Sequence, residues 1–202
     1  MIELPKIILA SASPRRVEIL TSVGWPFEKL PADIDESEIA GEGPEDYVTR
    51  LAREKALAVA SIRPNEIVLG ADTTVVVDGE ILGKPVDVED AKRMLRTLSG
   101  RSHFVLTGVA AAFNGKVESA LEKTRVDFVP MNEDEITFLA ERGEPLDKAG
   151  AYAVQAQAAL FIKGIEGDYW NVVGLPIGLV YRLVMSSSVA RGREVRSSSN
   201  QN

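Results

Sequence analysis

Several short stretches of this sequence place acidic and basic residues where phosphate chemistry can be done. In Gly70-Ala71-Asp72-Thr73 an aspartate follows the apolar run Ile67-Val68-Leu69, and Val75-Val76-Val77 comes soon after. The pattern predicts Asp72 outside the carboxyl end of a buried strand, where active sites of α/β sheets lie. A carboxylate there can bind a divalent cation or accept a proton from an attacking water. A turn aspartate bonded to its own backbone is the alternative, and the flanking apolar runs count against it.

Basic residues form the complementary set. Ser11-Ala12-Ser13-Pro14-Arg15-Arg16 joins an apolar run to a helical pattern. A helix N-terminus directs unpaired N–H groups and the positive end of its dipole at an anion. Arg15 and Arg16 would add planar phosphate donors, although an ordinary N-cap with two solvated arginines fits the same residues. The segment from Gly79 to Pro85 has glycine spacing one residue too short for a P-loop, and Pro85 stands where Ser or Thr would hold magnesium. A P-loop is excluded. Lys84 remains as a point charge for a phosphate or as a plain solvated lysine.

Asp33-Ile34-Asp35-Glu36 clusters carboxylates of the kind magnesium and manganese prefer. A solvated acidic loop explains that cluster equally simply. Arg50, Arg53 and Lys55 follow on a helical stretch, and Lys55 shares a face with Leu51, which predicts an inward lysine. In Asp147-Lys148-Ala149-Gly150-Ala151-Tyr152-Ala153-Val154-Gln155, glycine among small residues permits close approach to a ligand. There Tyr152 could support or stack, and Gln155, with donor and acceptor, could read a base edge. A tight loop against the core is the other reading, and the same holds for Gly174-Leu175-Pro176. His103 opens an apolar strand and is assigned no catalytic role.

These residues need elements to hold them. Ile7-Ile8-Leu9-Ala10 and Phe27 to Leu30 read as strands around a helix that starts at Ser13-Pro14 and stops at Gly24. A helix runs from Gly43-Pro44 through Ala60, and another is capped by Asp87, with Ala91, Met94, Leu95 and Leu98 inward and Gly100 as its stop. Asp78-Gly79 and Asn114-Gly115 are hairpin signals. Asn132 with Glu135 forms a capping box for a helix ending near Gly143, and Gly174-Leu175-Pro176 leads into a last helix reaching about Val184. Strands alternating with helices, and hairpins in the middle, predict a mixed-sheet α/β fold. The expected layout is one catalytic domain over 1–185 in two lobes, with a disordered tail at 186–202 carrying Arg191, Arg193 and Arg196.

Composition narrows the function classes. The 202 residues carry a net charge of -7, which disfavours nucleic acid as a partner and leaves polyanions to local basic clusters. No cysteine and a single histidine exclude thiolate chemistry and a multi-histidine zinc site. No apolar stretch approaches the ~20 residues that span a bilayer, and no secretory signal is evident. A soluble, cytoplasmic protein with no membrane partner is expected.

Taken in order, Ser11-Ala12-Ser13-Pro14-Arg15-Arg16, Ala52-Arg53-Glu54-Lys55-Ala56, Gly70-Ala71-Asp72-Thr73, Gly83-Lys84-Pro85, Asp147-Lys148-Ala149-Gly150-Ala151-Tyr152 and Gly174-Leu175-Pro176 resemble the Maf family. Each motif alone is weak; the ordered set is specific and covers almost the whole chain before the tail. The resemblance implies an elongated mixed α/β fold of the Maf/Ham1 kind, a cleft between two lobes, and commonly a homodimer. It implies a nucleoside triphosphate substrate cut at the α–β phosphoanhydride with a divalent metal, Mg²⁺ or Mn²⁺. Asp72 then matches the proton acceptor, with Glu36 and Asp72 helping to hold the metal. Glu36, Lys55 and Lys84 match polar positions needed for activity, and Ser13 with Arg15 or Arg16 would lie near the phosphates. Arg16, Thr73 and Gln155 match positions that set substrate choice in the branch acting on dTTP and UTP. Ala156-Gln157 departs from that branch, where a glycine is expected after Gln155. Rival readings are a nucleotide-binding regulator of septum formation and a house-cleaning enzyme for purine nucleotides such as inosine triphosphate.

Overall fold

A computed structural model describes residues 2–142 and 145–186. Strand β1 (Ile7–Leu9) is wholly buried, and helix α1 (Pro14–Ser22) begins at the proline. Ser13 holds the cap position, but its side chain makes no capping hydrogen bond, a correction to its expected role. Strand β2 (Phe27–Lys29) lies parallel to β1. Helix α2 (Pro44–Ile62) buries Val48, Leu51, Ala52, Lys55, Ala56 and Val59, a stripe at three- and four-residue spacing that only a helix turns to one side.

Strand β3 (Ile67–Val77) runs unbroken for 11 residues and pairs parallel with β1, Ile7 opposite Ile67 and Leu9 opposite Leu69. Asp72 therefore lies inside the strand, not beyond its carboxyl end as its flanks predict. The polar residues stay in the strand because they find partners there, Lys55 for Asp72 and Thr107 for Thr73. Asp78 and Gly79, both at positive φ, turn β3 into the antiparallel β4 (Glu80–Leu82). Helix α3 (Val88–Leu98) is capped by the Asp87 side chain and buries Ala91, Met94, Leu95 and Leu98, as its spacing predicts.

Strands β5 (Ser102–Phe113) and β6 (Lys116–Phe128) flank the Asn114-Gly115 turn, again with both residues at positive φ. Helix α4 (Glu133–Arg142) starts with a reciprocal box: Glu135 N–H donates to Asn132 Oδ1 at 3.0 Å, and Asn132 N–H to Glu135 Oε2 at 2.7 Å. Three 3-10 turns between Pro145 and Phe161 precede β7 (Ile162–Glu166), antiparallel to β6. Helices α5 (Tyr169–Val173) and α6 (Ile177–Ser186) close the described chain. The strands form one mixed sheet in the order β2-β1-β3-β5-β6-β7, with β4 paired to β3. The expected stop at Gly143 and the tail beyond Ser186 lie outside the described residues. Among those residues, no helix is long and apolar enough to cross a membrane.

The chain divides into two compact units: Met1–Asp72, Gly108–Leu121 and Leu175–Asn202 form one, and Thr73–Thr107 with Glu122–Gly174 the other. The first has a core of small and β-branched residues, including Ile8, Ala10, Ala52, Ala56, Val68 and Ala110. The second packs α3 and α4 through Leu95, Leu98, Ile136 and Leu139 around Val105 and Phe128.

The second core also takes in His103, which is 1% exposed. Its Nε2 lies 2.7 Å from Tyr152 Oη, and its ring meets Phe128 and Tyr152 edge-on. Burial pushes His103 down to about 4, from an ordinary 6.5. Between those values the unfolded chain binds the extra proton. Stability from this site is complete above about pH 6.5 and falls by about 3 kcal/mol as pH drops through about 4. Urea unfolding at pH 7 and pH 4.5 should show a steeper acid loss in the wild type than in His103→Gln. Equal losses in both proteins would contradict this assignment.

Candidate active site

The first unit brings together four charged side chains from distant parts of the chain. Lys55 projects from the buried stripe of α2, and its Nζ lies 2.6 Å from Asp72 Oδ1 and 2.7 Å from Glu36 Oε1. Two carboxylates thus share one ammonium. The Lys55 and Asp72 side chains are 9% and 12% exposed, while Glu36 is 52% exposed. The pair is therefore largely shielded from solvent, while Glu36 is open to it.

Arg16 completes the group from α1. Its Nη1 donates to Ser11 Oγ at 2.9 Å and to the Ala71 carbonyl at 2.8 Å, in the residue before Asp72. Ser11 Oγ also accepts the Ser13 N–H at 3.2 Å. The turn expected to hold an anion is thereby knitted to β3 by a buried guanidinium. Ser11, not singled out by sequence reasoning, is the hinge of this contact; only its place in the same turn hinted at it. Arg15 and Ser13 are half-buried beside it.

Burial and charge pull against each other here. Burial raises the Asp72 pKa above its ordinary 3.8, against the opposing pull of the Lys55 and Arg16 charges. Burial likewise lowers Arg16, while Asp72 and Glu36 hold it up; a guanidinium remains cationic at neutral pH regardless. Burial thus disfavours the charge that the Lys55 contact supports, which suits Asp72 to taking up a proton.

The donor set also fits a hard divalent cation. Glu36 and Asp72 offer carboxylate oxygens that already converge on one positive centre. Among the described residues no group of three His, Cys, Asp or Glu side chains is placed to hold a metal. Two carboxylates with the remaining positions left to water and phosphate oxygens is how magnesium is commonly bound.

In the second unit, Thr73 Oγ1 lies 2.9 Å from Thr107 Oγ1 and donates to the Gly174 carbonyl at 3.3 Å. That contact ties Gly70-Ala71-Asp72-Thr73 to Gly174-Leu175-Pro176. The Gly150 N–H donates to the Gly83 carbonyl at 3.0 Å, joining two more of the motifs. Gly150 makes a close approach to Val75, where an added Cβ would meet the side chain at 2.9 Å, so packing alone already calls for glycine here. Tyr152 is buried, its hydroxyl 2.7 Å from His103 Nε2 and its ring edge-on to those of His103 and Phe128. Lys84 and Gln155 are exposed. Arg53 leaves the basic group: its Nη1 donates to Ser119 Oγ at 3.2 Å.

A family model described as Maf-like protein matches residues 6–187. The chain is 52% identical over 174 residues to a protein of Symbiobacterium thermophilum named dTTP/UTP pyrophosphatase, covering 86% of this chain and 90% of that one. A protein of the same name from Koribacter versatilis is 49% identical over 183 residues, 91% and 95% of the two chains. Among solved structures, the Ham1 protein of Staphylococcus aureus is 14% identical and covers 61% of this chain and 71% of that chain, at a TM-score of 0.45. That last likeness is too loose to bear on function.

Proposed function

The chain belongs to the Maf-like protein family, and on that premise we propose that it hydrolyses dTTP and UTP to the monophosphate and pyrophosphate. The observation that carries this reading is Asp72, buried in β3, sharing the Lys55 ammonium with Glu36 and lying next in the chain to the carbonyl that holds Arg16.

Asp72 takes a proton from water as the water oxygen bonds to the α-phosphorus. The α–β bridging bond breaks in line, and pyrophosphate leaves. Lys55 and Arg16 offset the negative charge that a triphosphate brings, inside a protein whose net charge is -7. Little covalent chemistry is asked of the protein, so positioning and charge supply most of the rate. A magnesium or manganese ion, held with help from Glu36 and Asp72, would supply charge neutralisation on the leaving phosphates. For Ser13 and Arg15 near the phosphates, and for Thr73, Lys84 and Gln155, the proposal keeps the roles the resemblance implies. It likewise includes a homodimer in the cytoplasm with no nucleic-acid partner.

The test is a panel of canonical and modified nucleoside triphosphates incubated with Mg²⁺ or Mn²⁺, read by released pyrophosphate. UTP and dTTP are expected to give pyrophosphate and their monophosphates at the highest kcat/KM. Release from inosine triphosphate alone would move the reading to purine house-cleaning. No release from any nucleotide would overturn it.

A further inference from the structure

Glu36 has no secondary structure of its own to hold it. Residues 30–43, between β2 and α2, form neither helix nor strand. Yet the Glu36 carboxylate meets Lys55 at 2.7 Å, so something must fix its backbone.

Two side chains of α2 do so. Tyr47 Oη donates to the Glu36 carbonyl at 3.0 Å. Arg50 Nη2 donates to the next carbonyl, that of Ser37, also at 3.0 Å. Arg50 is itself clamped by a two-pronged bond to Glu42 at the far end of the segment, 2.7 Å from Nε and 2.8 Å from Nη2. It also reaches Glu54 at 3.3 Å and lies over the Tyr47 ring at 5.6 Å. Within the segment, Ser37 N–H and Oγ both donate to Asp35 Oδ1, which tightens the turn just after Glu36.

Tyr47 and Arg50 are three residues apart and Lys55 lies two turns beyond Tyr47, so all three project from neighbouring faces of α2. One helix thereby holds Glu36 by its carbonyl, by its neighbour's carbonyl and by its carboxylate. We infer that Tyr47 and Arg50 are positioning residues for catalysis, a strap that sets Glu36 against Lys55 and Asp72. The inference rests on the pyrophosphatase reading of that site. The planar arginine fork suits this duty, since a lysine cannot grip Glu42 with two parallel bonds while reaching Ser37.

The experiment is a double-mutant cycle on kcat/KM for UTP with Arg50→Gln, Glu36→Gln and the combination, and the same with Tyr47→Phe. Arg50→Gln should lower kcat/KM by roughly tenfold to a hundredfold, as expected when a reacting group is displaced by about 1 Å. Tyr47→Phe loses one hydroxyl and should cost less. In the Glu36→Gln background both should cost almost nothing, because their effect passes through Glu36. Amides of residues 36–42 should exchange faster in Arg50→Gln, with those of β3 unchanged. If Arg50→Gln does not fold, Glu42→Gln loosens the same guanidinium and takes its place in the cycle. Equal losses with and without Glu36, or no loss from Arg50→Gln, would overturn the inference. Wild-type turnover in Glu36→Gln would instead strike at the pyrophosphatase reading.

Discussion

Asp72→Asn is expected to lower kcat for UTP by roughly a thousandfold, within the range a positioned general base contributes. The amide keeps the shape of the carboxylate but cannot take the proton. It should not harm the fold. Burial raises the Asp72 pKa, which means the ionised form is held in the native state at a cost. Asparagine removes that cost, and Lys55 keeps Glu36 at 2.7 Å. The unfolding midpoint should therefore match or exceed that of the wild type, a separation of activity from stability common at catalytic sites. The pH profile gives a second check. The base works only when ionised, so the wild-type rate should fall with decreasing pH through a value above the ordinary 3.8. The residual activity of Asp72→Asn should lack that limb. Near wild-type turnover in the variant would remove Asp72 from the chemistry.

Gly70→Ala is expected to be the most damaging single methyl in the first unit. A Cβ at Gly70 would lie 2.1 Å from the Ala52 carbonyl oxygen and 2.7 Å from the Ala56 nitrogen. Both are backbone atoms of α2, so no rotamer change relieves the clash and the helix itself must move. Gly108 on β5 makes the same approach one turn earlier, with its added Cβ 2.3 Å from the Val48 carbonyl oxygen. Overpacking commonly costs about 1–3 kcal/mol, and a clash with fixed backbone lies at or beyond the upper end. We expect a loss of about 3 kcal/mol or more in urea unfolding. Turnover of the remaining folded protein should also drop, since α2 carries Lys55. Gly164→Ala, where nothing lies within 4 Å of the added Cβ, serves as the control and should be nearly neutral. Equal stability of the two variants would refute the packing account.

These two positions mark where the sequence was legible and where it was not. The α3 stripe, the Asn132–Glu135 box, both hairpins and the inward Lys55 follow from spacing within a few residues, and all stand as expected. His103, which opens an apolar strand, is buried against Tyr152. Gly70 reads as the point where the apolar run Ile67-Val68-Leu69 ends, whereas β3 continues through it to Val77. Its true partner is a helix some 15 residues earlier in the chain, and local pattern carries no trace of such a contact. Arg16 illustrates the same limit. Its pairing with the Ala71 carbonyl spans 55 positions, so the sequence allowed a solvated arginine as readily as a buried one. The strap of Tyr47 and Arg50 was missed for a related reason: two main-chain carbonyls in an irregular segment leave no signature in side-chain types.

The most direct test of the account is hydrolysis of UTP in ¹⁸O-enriched water, followed by mass analysis of both products. Attack at the α-phosphorus beside Asp72 predicts one ¹⁸O atom in the uridine monophosphate and none in the pyrophosphate. Label found in pyrophosphate, or in released orthophosphate, would place the attack elsewhere and contradict it.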